Sequence, residues 1–272
     1  MNIVEKHTKQ LLTPASGFLE GYTFSLNPYS GCAFACSYCY VRKSPVGLFR
    51  KEDWGTWVDI KANAADRYQA EIKKARKKYP SISIFMSSST DPYQPVEYKN
   101  EITKSILEAM VKEPPDFLFL QTRSPLVTRD IELLKQLNVL VSMTVETDRE
   151  DIRKLFSPSA PPISARLKAI DQIGKSGIKT QVAIAPLLPS TNSFSELLSK
   201  VVNRITVDDY FQGDGSEGKR TKTMGIYKIY EKMNLQEWYN REKYKQLVVA
   251  LQRYFPNEAI FISKEGFLPP VN

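Results

Sequence analysis

Cysteine and histidine are nearly absent from this chain of 272 residues: three cysteines, one histidine (His7), and no further member of either type. A disulfide-stapled fold is excluded by that count, as is a multi-histidine metal centre. Long apolar runs are missing too. No stretch approaches the length needed to span a bilayer, and Met1 to Leu12 holds no apolar run of signal-peptide length, so the expected location is cytoplasmic, with no membrane partner. Charge is absent from the 20 residues Gly21 to Tyr40, although 25% of the chain is charged. With 42% hydrophobic residues, the chain has enough apolar material for one large domain or one domain with an appendage.

What cysteine there is lies together. Cys32, Cys36 and Cys39 fall inside the uncharged stretch, in Gly31-Cys-Ala-Phe-Ala-Cys-Ser-Tyr-Cys-Tyr-Val. Three thiolates are one short of a closed zinc or iron–sulfur site, so such a set leaves a coordination position open for chemistry. The residues alone leave alternatives open: a zinc site closed by His7, or a redox disulfide. An uncharged surround suits a cluster whose sulfurs must be kept from water, and it equally suits any buried strand and turn.

The net charge of +8 is unevenly spread. Residues 1–80 carry 13 basic and 7 acidic groups, and residues 218–253 carry 9 and 3. The first excess concentrates in Lys73 to Lys78 and around Arg42, Lys43, Arg50 and Lys51. In the second, Lys219, Arg220, Lys222, Lys228 and Lys232 interleave with Tyr227, Tyr230, Trp238 and Tyr239. Basic and aromatic side chains mixed this way suit a DNA or RNA partner through phosphate contact and base stacking; solvated helix faces have the same composition.

Short β-rich runs alternate with segments of helical period. Tyr22–Leu26, Ser83–Met86, Phe117–Leu120, Val139–Met143, Thr180–Ile184 and Arg204–Val207 read as six strands. Between them, helical faces are marked by Ala64, Tyr68, Ile72, Ala75 and Tyr79; by Ile102, Ile106 and Met110; by Ile131, Leu134 and Leu137; by Leu167, Ile170 and Ile173; and by Ser195, Leu198 and Val202. This alternation predicts an α/β fold with a parallel sheet and crossover helices. Gly174-Lys175-Ser176 lacks the earlier glycine of a phosphate loop, since Ala169 stands there, and Gly174 and Gly177 read as helix C-caps. Gly213-Asp214-Gly215 reads as a turn without chemistry.

The CxxxCxxC spacing with Tyr38 before the third cysteine resembles the radical S-adenosylmethionine (SAM) superfamily. Asn27-Pro-Tyr-Ser-Gly-Cys32, Ser89-Thr-Asp-Pro-Tyr-Gln-Pro95 and Ala185-Pro-Leu-Leu-Pro189 further resemble its spore photoproduct lyase-related branch. The resemblance implies a partial (β/α)6 TIM-like barrel. Its expected organisation is an N-terminal extension at 1–20, a radical SAM core at 21–210 and a C-terminal extension at 211–272 packing on the barrel. It also implies that Cys32, Cys36 and Cys39 hold a [4Fe–4S] cluster that binds SAM and cleaves it reductively, giving methionine and a 5′-deoxyadenosyl radical that abstracts hydrogen from a substrate, a nucleic acid in this branch. An electron donor such as flavodoxin or ferredoxin follows. The competing reading is a non-catalytic Fe–S or zinc protein that binds nucleic acid.

Parallel barrels place their sites at the C-terminal ends of the strands. By that rule and the resemblance, Ser88, Ser89, Thr90 and Asp91 are expected at the SAM amino group, and Arg123 at its carboxylate. Ser142, Thr144 and Glu146 are expected at the ribose, and Ala185 and Leu187 at the adenine. Branch enzymes return hydrogen to the product radical from a further cysteine. This chain has none, which leaves Tyr93 and Tyr98 as the expected radical quenchers.

Overall fold

The β-rich runs pair as the sequence predicts. A computed structural model of the chain describes residues 1–270; residues 271 and 272, the end of the expected C-terminal extension, lie outside the described residues. In chain order the strands are β1 (Asn2–Lys6), β2 (Leu12–Pro14), β3 (Phe24–Leu26), β4 (Tyr29–Ser30), β5 (Trp57–Lys61), β6 (Ser83–Met86), β7 (Phe117–Thr122), β8 (Val139–Thr144), β9 (Lys179–Ile184), β10 (Ile205–Val207) and β11 (Ile260–Ile262).

The main sheet has the order β11-β10-β9-β8-β7-β6-β3-β2. The six expected strands are β3 and β6 to β10, mutually parallel and in sequential order. Two further strands extend them. β11, from the C-terminal segment, runs parallel to β10, and β2 runs antiparallel to β3. A second, three-stranded sheet has the order β1-β5-β4 and carries the cysteine loop, which leaves directly from β4.

Alternation along each strand sorts the side chains to two faces. Ile84, Met86, Leu118, Leu120, Val141, Met143, Val182 and Ile184 face the crossover helices and join their buried residues in the main core. Phe85, Phe117, Phe119, Leu140 and Ala183 face the other way and form a separate inner cluster with Tyr22 and Phe267. Phe85 and Phe119 stack there with centroids 4.8 Å apart, an aromatic pair worth about 1 kcal/mol beyond its area.

Helix positions follow the apolar spacing. Helix Ala64–Arg76 buries Ala64, Tyr68, Ile72 and Ala75; helix Ile102–Lys112 buries Ile106 and Met110; helix Ile163–Lys175 buries Leu167, Ile170 and Ile173. The third helix is only Ile131–Leu134, because Pro125 opens a 3-10 segment over Pro125–Asp130 first. In the fifth, Phe194–Ser199, Val202 lies beyond the end. Gly177 adopts φ +89° just past the fourth helix, as a C-cap glycine should, whereas Gly174 lies inside that helix and caps nothing.

The segments next to the two edges of the main sheet touch each other. Phe18, ahead of β3, lies 5.7 Å from Phe267, after β11, and the Lys264 ammonium lies 3.5 Å from Glu20. The C-terminal segment thus closes the open side of the barrel. No helix among the described residues is long and apolar enough to cross a membrane.

Candidate active site

The cysteine loop is held by its backbone. Gly31 has φ +82°, and a Cβ there would lie 2.5 Å from the Trp57 carbonyl oxygen, so only glycine fits between β4 and β5. Thr90 Oγ1 donates to the Gly31 carbonyl at 2.6 Å, Gln94 Oε1 accepts from Ala33 N–H at 2.8 Å, and Arg42 donates to the carbonyls of Ala35 and Cys36 at 2.6 and 3.0 Å. With the main chain fixed, the three cysteines line one cavity of about 560 Å³ at the C-terminal ends of the parallel strands. Phe34, Tyr38, Val41, Trp54, Trp57 and Phe156 surround them with apolar surface. That burial pushes the Cys39 thiol up to about 11 and Cys32 higher still, so metal loading must displace thiol protons.

Arg123, after β7, ties this loop to the barrel. Its guanidinium donates to Cys36 Sγ at 3.0 Å, to the Tyr38 hydroxyl at 2.9 Å and to Glu146 at 2.8 Å. Glu146, 2% exposed, also accepts from the Tyr38 hydroxyl and, at 2.7 Å, from the fully buried Arg166. Two guanidinium groups hold the Glu146 carboxyl down to about 2 against its burial. Arg123 and Glu146 therefore position the cysteine loop, and neither has an ionic group to spare.

Asp91 is likewise engaged: Oδ1 accepts from Thr122 Oγ1 at 2.7 Å and Tyr93 N–H at 2.9 Å, and Oδ2 from Arg123 N–H at 2.8 Å. It fastens the turn after β6 to the end of β7. Of the residues singled out from the sequence, Tyr38, Ser88, Ser89, Thr90, Asp91, Arg123, Thr144 and Ala185 line the cavity. Ser142, Glu146 and Leu187 do not. Ser142 lies one step deeper on β8, covered by Gln181 Nε2 at 3.1 Å, and Leu187 turns into the helix-side core. Tyr93 is buried against Asp130 at 3.0 Å, and Tyr98 is 77% exposed on the short helix Glu97–Asn100; neither reaches the cavity, because the turn after β6 carries both outward.

Other lining residues were not singled out from the sequence. Ser87 has φ +82° and a buried hydroxyl without a partner; Gln121 Oε1 and Asp209 Oδ2 are also buried and unpartnered. All three belong to the cavity wall, and such groups suit a polar ligand that would satisfy them. Asp208 and Asp209 directly follow β10, where the strand-end rule, carried one strand further, points. Gly213 and Asp214 line the wall too, so this segment is more than a turn. A Cβ on Gly213 would come within 2.2 Å of Asp208 Oδ2, so a larger residue there would have to displace the Asp208 carboxyl.

Burial raises Asp208 to about 7, with Asp209 and Asp214 adding to the effect. A carboxyl whose folded pKa lies above its unfolded value of 3.8 withdraws stability as pH rises between the two, by up to about 4 kcal/mol. Asp208→Asn should flatten that decline in urea midpoints followed from pH 4 to 8, and should unfold later than the parent at pH 8.

Among the described residues no three His, Cys, Asp or Glu side chains converge on a single ion position. A zinc ion would need its ligands about 2.3 Å from one point, whereas an iron–sulfur cube gives each thiolate its own iron. His7 is exposed beyond β1 and absent from the cavity wall. The zinc alternative is not favoured on either count; Cys32 and Cys36, buried, and Cys39, half-buried, around one apolar-walled cavity fit the cube.

Residues 26–200 match the family described as the Radical SAM superfamily. The chain is 30% identical over 190 residues to an uncharacterised protein of Methanocaldococcus jannaschii, covering 70% of this chain and 69% of that one. It is 28% identical over 166 residues to the radical SAM Nalpha-GlyT isomerase of Pseudomonas phage M6, covering 60% of this chain and 32% of the isomerase. In fold it is similar to a spore photoproduct lyase variant solved with bound AdoMet and dinucleoside spore photoproduct, with TM-score 0.68 and 15% identity over 96% of this chain and 81% of the other. The thiol loop at the mouth of a parallel barrel and the match over residues 26–200 agree: this chain belongs to the radical SAM superfamily, with a [4Fe–4S] cluster and S-adenosylmethionine as its cofactors.

Proposed function

We propose that this protein is a radical SAM enzyme acting on a nucleic acid or a nucleotide within one, in a reducing, cytoplasmic setting, with a flavodoxin or ferredoxin as electron donor. The observation that carries the substrate class is the cavity rim: Arg220 and Thr221 line the cavity, and they open the basic and aromatic segment that runs to Lys245. When bound, the cluster and SAM supply hydrogen abstraction by a 5′-deoxyadenosyl radical. The chain's own residues do the rest. Cys32, Cys36 and Cys39 hold the cluster, and Arg123 donates to the Cys36 sulfur. The unpartnered hydroxyl of Ser87, with those of Ser88, which accepts from Asn27, and Ser89, meets the amino acid end of SAM, Gln121 and Thr144 its ribose, and Ala185 with Pro186 its adenine. The unit that binds these cofactors runs over residues 21–210, and the segment after it supplies the substrate side of the cavity.

Of the two basic segments only the later one suits this role. Lys73 and Arg76 lie on the helix Ala64–Arg76, paired with Glu113 and Asp116, and neither lines the cavity. Lys219, Lys222, Lys228 and Lys232 are exposed and form no ion pair among the described residues. If each neutralises one phosphate, single-stranded DNA should bind with a log–log salt slope of about −3, at ~0.7 per contact. Fluorescence anisotropy across a salt series measures it. Reversing the four charges should remove the slope, reversing Lys73 to Lys78 should not, and salt-indifferent binding would move the substrate to another class.

A further inference from the structure

A radical left on a substrate, or on 5′-deoxyadenosine in its absence, must receive a hydrogen atom. This chain has no cysteine outside the cluster loop to give one, but has 14 tyrosines. Three phenol rings line the cavity: Tyr38, Tyr40 and Tyr210. Two of them have committed hydrogens. Tyr38 donates to Glu146, and Tyr40 donates to the Ser88 carbonyl. Tyr210 differs: its hydroxyl is paired only with the Tyr230 hydroxyl, at 3.1 Å, and meets no carboxylate or carbonyl among the described residues.

Behind Tyr210 the rings continue outward. Tyr239 lies 5.7 Å from Tyr210 and 5.6 Å from Tyr230, and Tyr227 lies 5.4 Å from Tyr239, centroid to centroid. Tyr210 and Tyr230 are buried, at 5% and 1% exposed, while Tyr227 is 40% exposed. Burial keeps the Tyr210 phenol protonated, so its O–H is intact at any working pH.

We propose that Tyr210 is the hydrogen-atom donor of this enzyme and that Tyr230, Tyr239 and Tyr227 carry the resulting vacancy to the surface; this rests on the radical SAM reading of the cavity. The Tyr210 O–H bond breaks homolytically and a C–H bond forms on the radical, leaving a Tyr210 phenoxyl. A hydrogen atom from the Tyr230 hydroxyl, 3.1 Å away, moves onto that oxygen and leaves a Tyr230 phenoxyl. The electron that fills the Tyr230 phenoxyl comes from Tyr239 and in turn from Tyr227, and the proton that Tyr227 gives up is matched by one that returns to Tyr230, so that a Tyr227 phenoxyl remains and every other phenol is intact. At Tyr227 one electron from the one-electron reductant that also reduces the cluster, and one proton from water, restore the phenol.

The test needs no substrate. Protein with its cluster is incubated anaerobically with dithionite and SAM in D2O, and the deuterium content of the released 5′-deoxyadenosine is read by mass spectrometry. Water's O–H bond is stronger than the C–H bond formed, so solvent deuterium enters only through an exchangeable protein hydrogen. The parent should give singly deuterated 5′-deoxyadenosine. Tyr210→Phe, which keeps the ring, should lower the label to background while SAM cleavage continues, and Tyr40→Phe should leave it in place. In freeze-quenched samples, Tyr239→Phe should trap a tyrosyl EPR signal that narrows with ring-deuterated tyrosine. An unlabelled product in the parent, or a label unchanged in Tyr210→Phe, overturns the assignment. Absence of any SAM cleavage in the parent would instead sink the enzymatic reading beneath it.

Discussion

Replacing any one of Cys32, Cys36 and Cys39 by Ala should abolish both the brown colour of anaerobically reconstituted protein and reductive cleavage of SAM. Losing one thiolate leaves a second iron of the cube without a protein ligand, in a cavity where no fourth cysteine and no nearby histidine can replace it. The alanine variants should still fold, because the loop is held by Thr90, Gln94 and Arg42 acting on main-chain atoms and not by the sulfurs. Iron analysis, the visible absorption band and 5′-deoxyadenosine release measure the three losses, and far-ultraviolet circular dichroism measures the retained fold. A variant with a full cluster and the parent's cleavage rate would refute the ligand assignment.

The parallel strands and their order were legible because strand and helix differ in period, and each apolar run lay close to a strand of the main sheet. The cysteine loop was legible because its spacing and isolation leave few other uses. Reading failed where the outcome depends on direction rather than position. Tyr93 and Tyr98 sit at the correct end of β6, but the turn that Asp91 locks sends Tyr93 against Asp130 and Tyr98 into solvent. Ser142 has the inward parity of β8 yet stops one residue pair short of the cavity, while Thr144 reaches it. Arg123 was read as a cation awaiting a ligand; its partner was already present as Glu146, 23 residues away in sequence, and no local pattern announces such a pair. The three-stranded sheet escaped because β4 is two residues long and β5, Trp57-Val-Asp-Ile-Lys61, takes both its partners from much earlier in the chain, at 2–6 and 29–30.

Glu146→Gln should be the most damaging single change outside the cysteines. The carboxylate is shared by Arg123 and Arg166 and accepts from the Tyr38 hydroxyl, all in a region where Arg166 is 0% exposed. Neutralising it leaves two guanidinium groups without a counter-charge, a loss of about 3–5 kcal/mol for a broken buried pair. The same group sets an acid limit. Its pKa is lowered from 4.5 to about 2 on folding, so its contribution is complete above the unfolded value and is lost as pH falls through the folded one. Urea midpoints of the parent should therefore drop between pH 4.5 and 2, and the Gln variant, already weakened at pH 7, should lack that part of the drop. Because Arg123 also donates to Cys36 Sγ, the variant should bind its cluster less firmly, read as faster bleaching under a chelator. Should the Gln variant match the parent's midpoint at pH 7, the two arginines must find other partners, and the link between barrel stability and the cysteine loop would be broken.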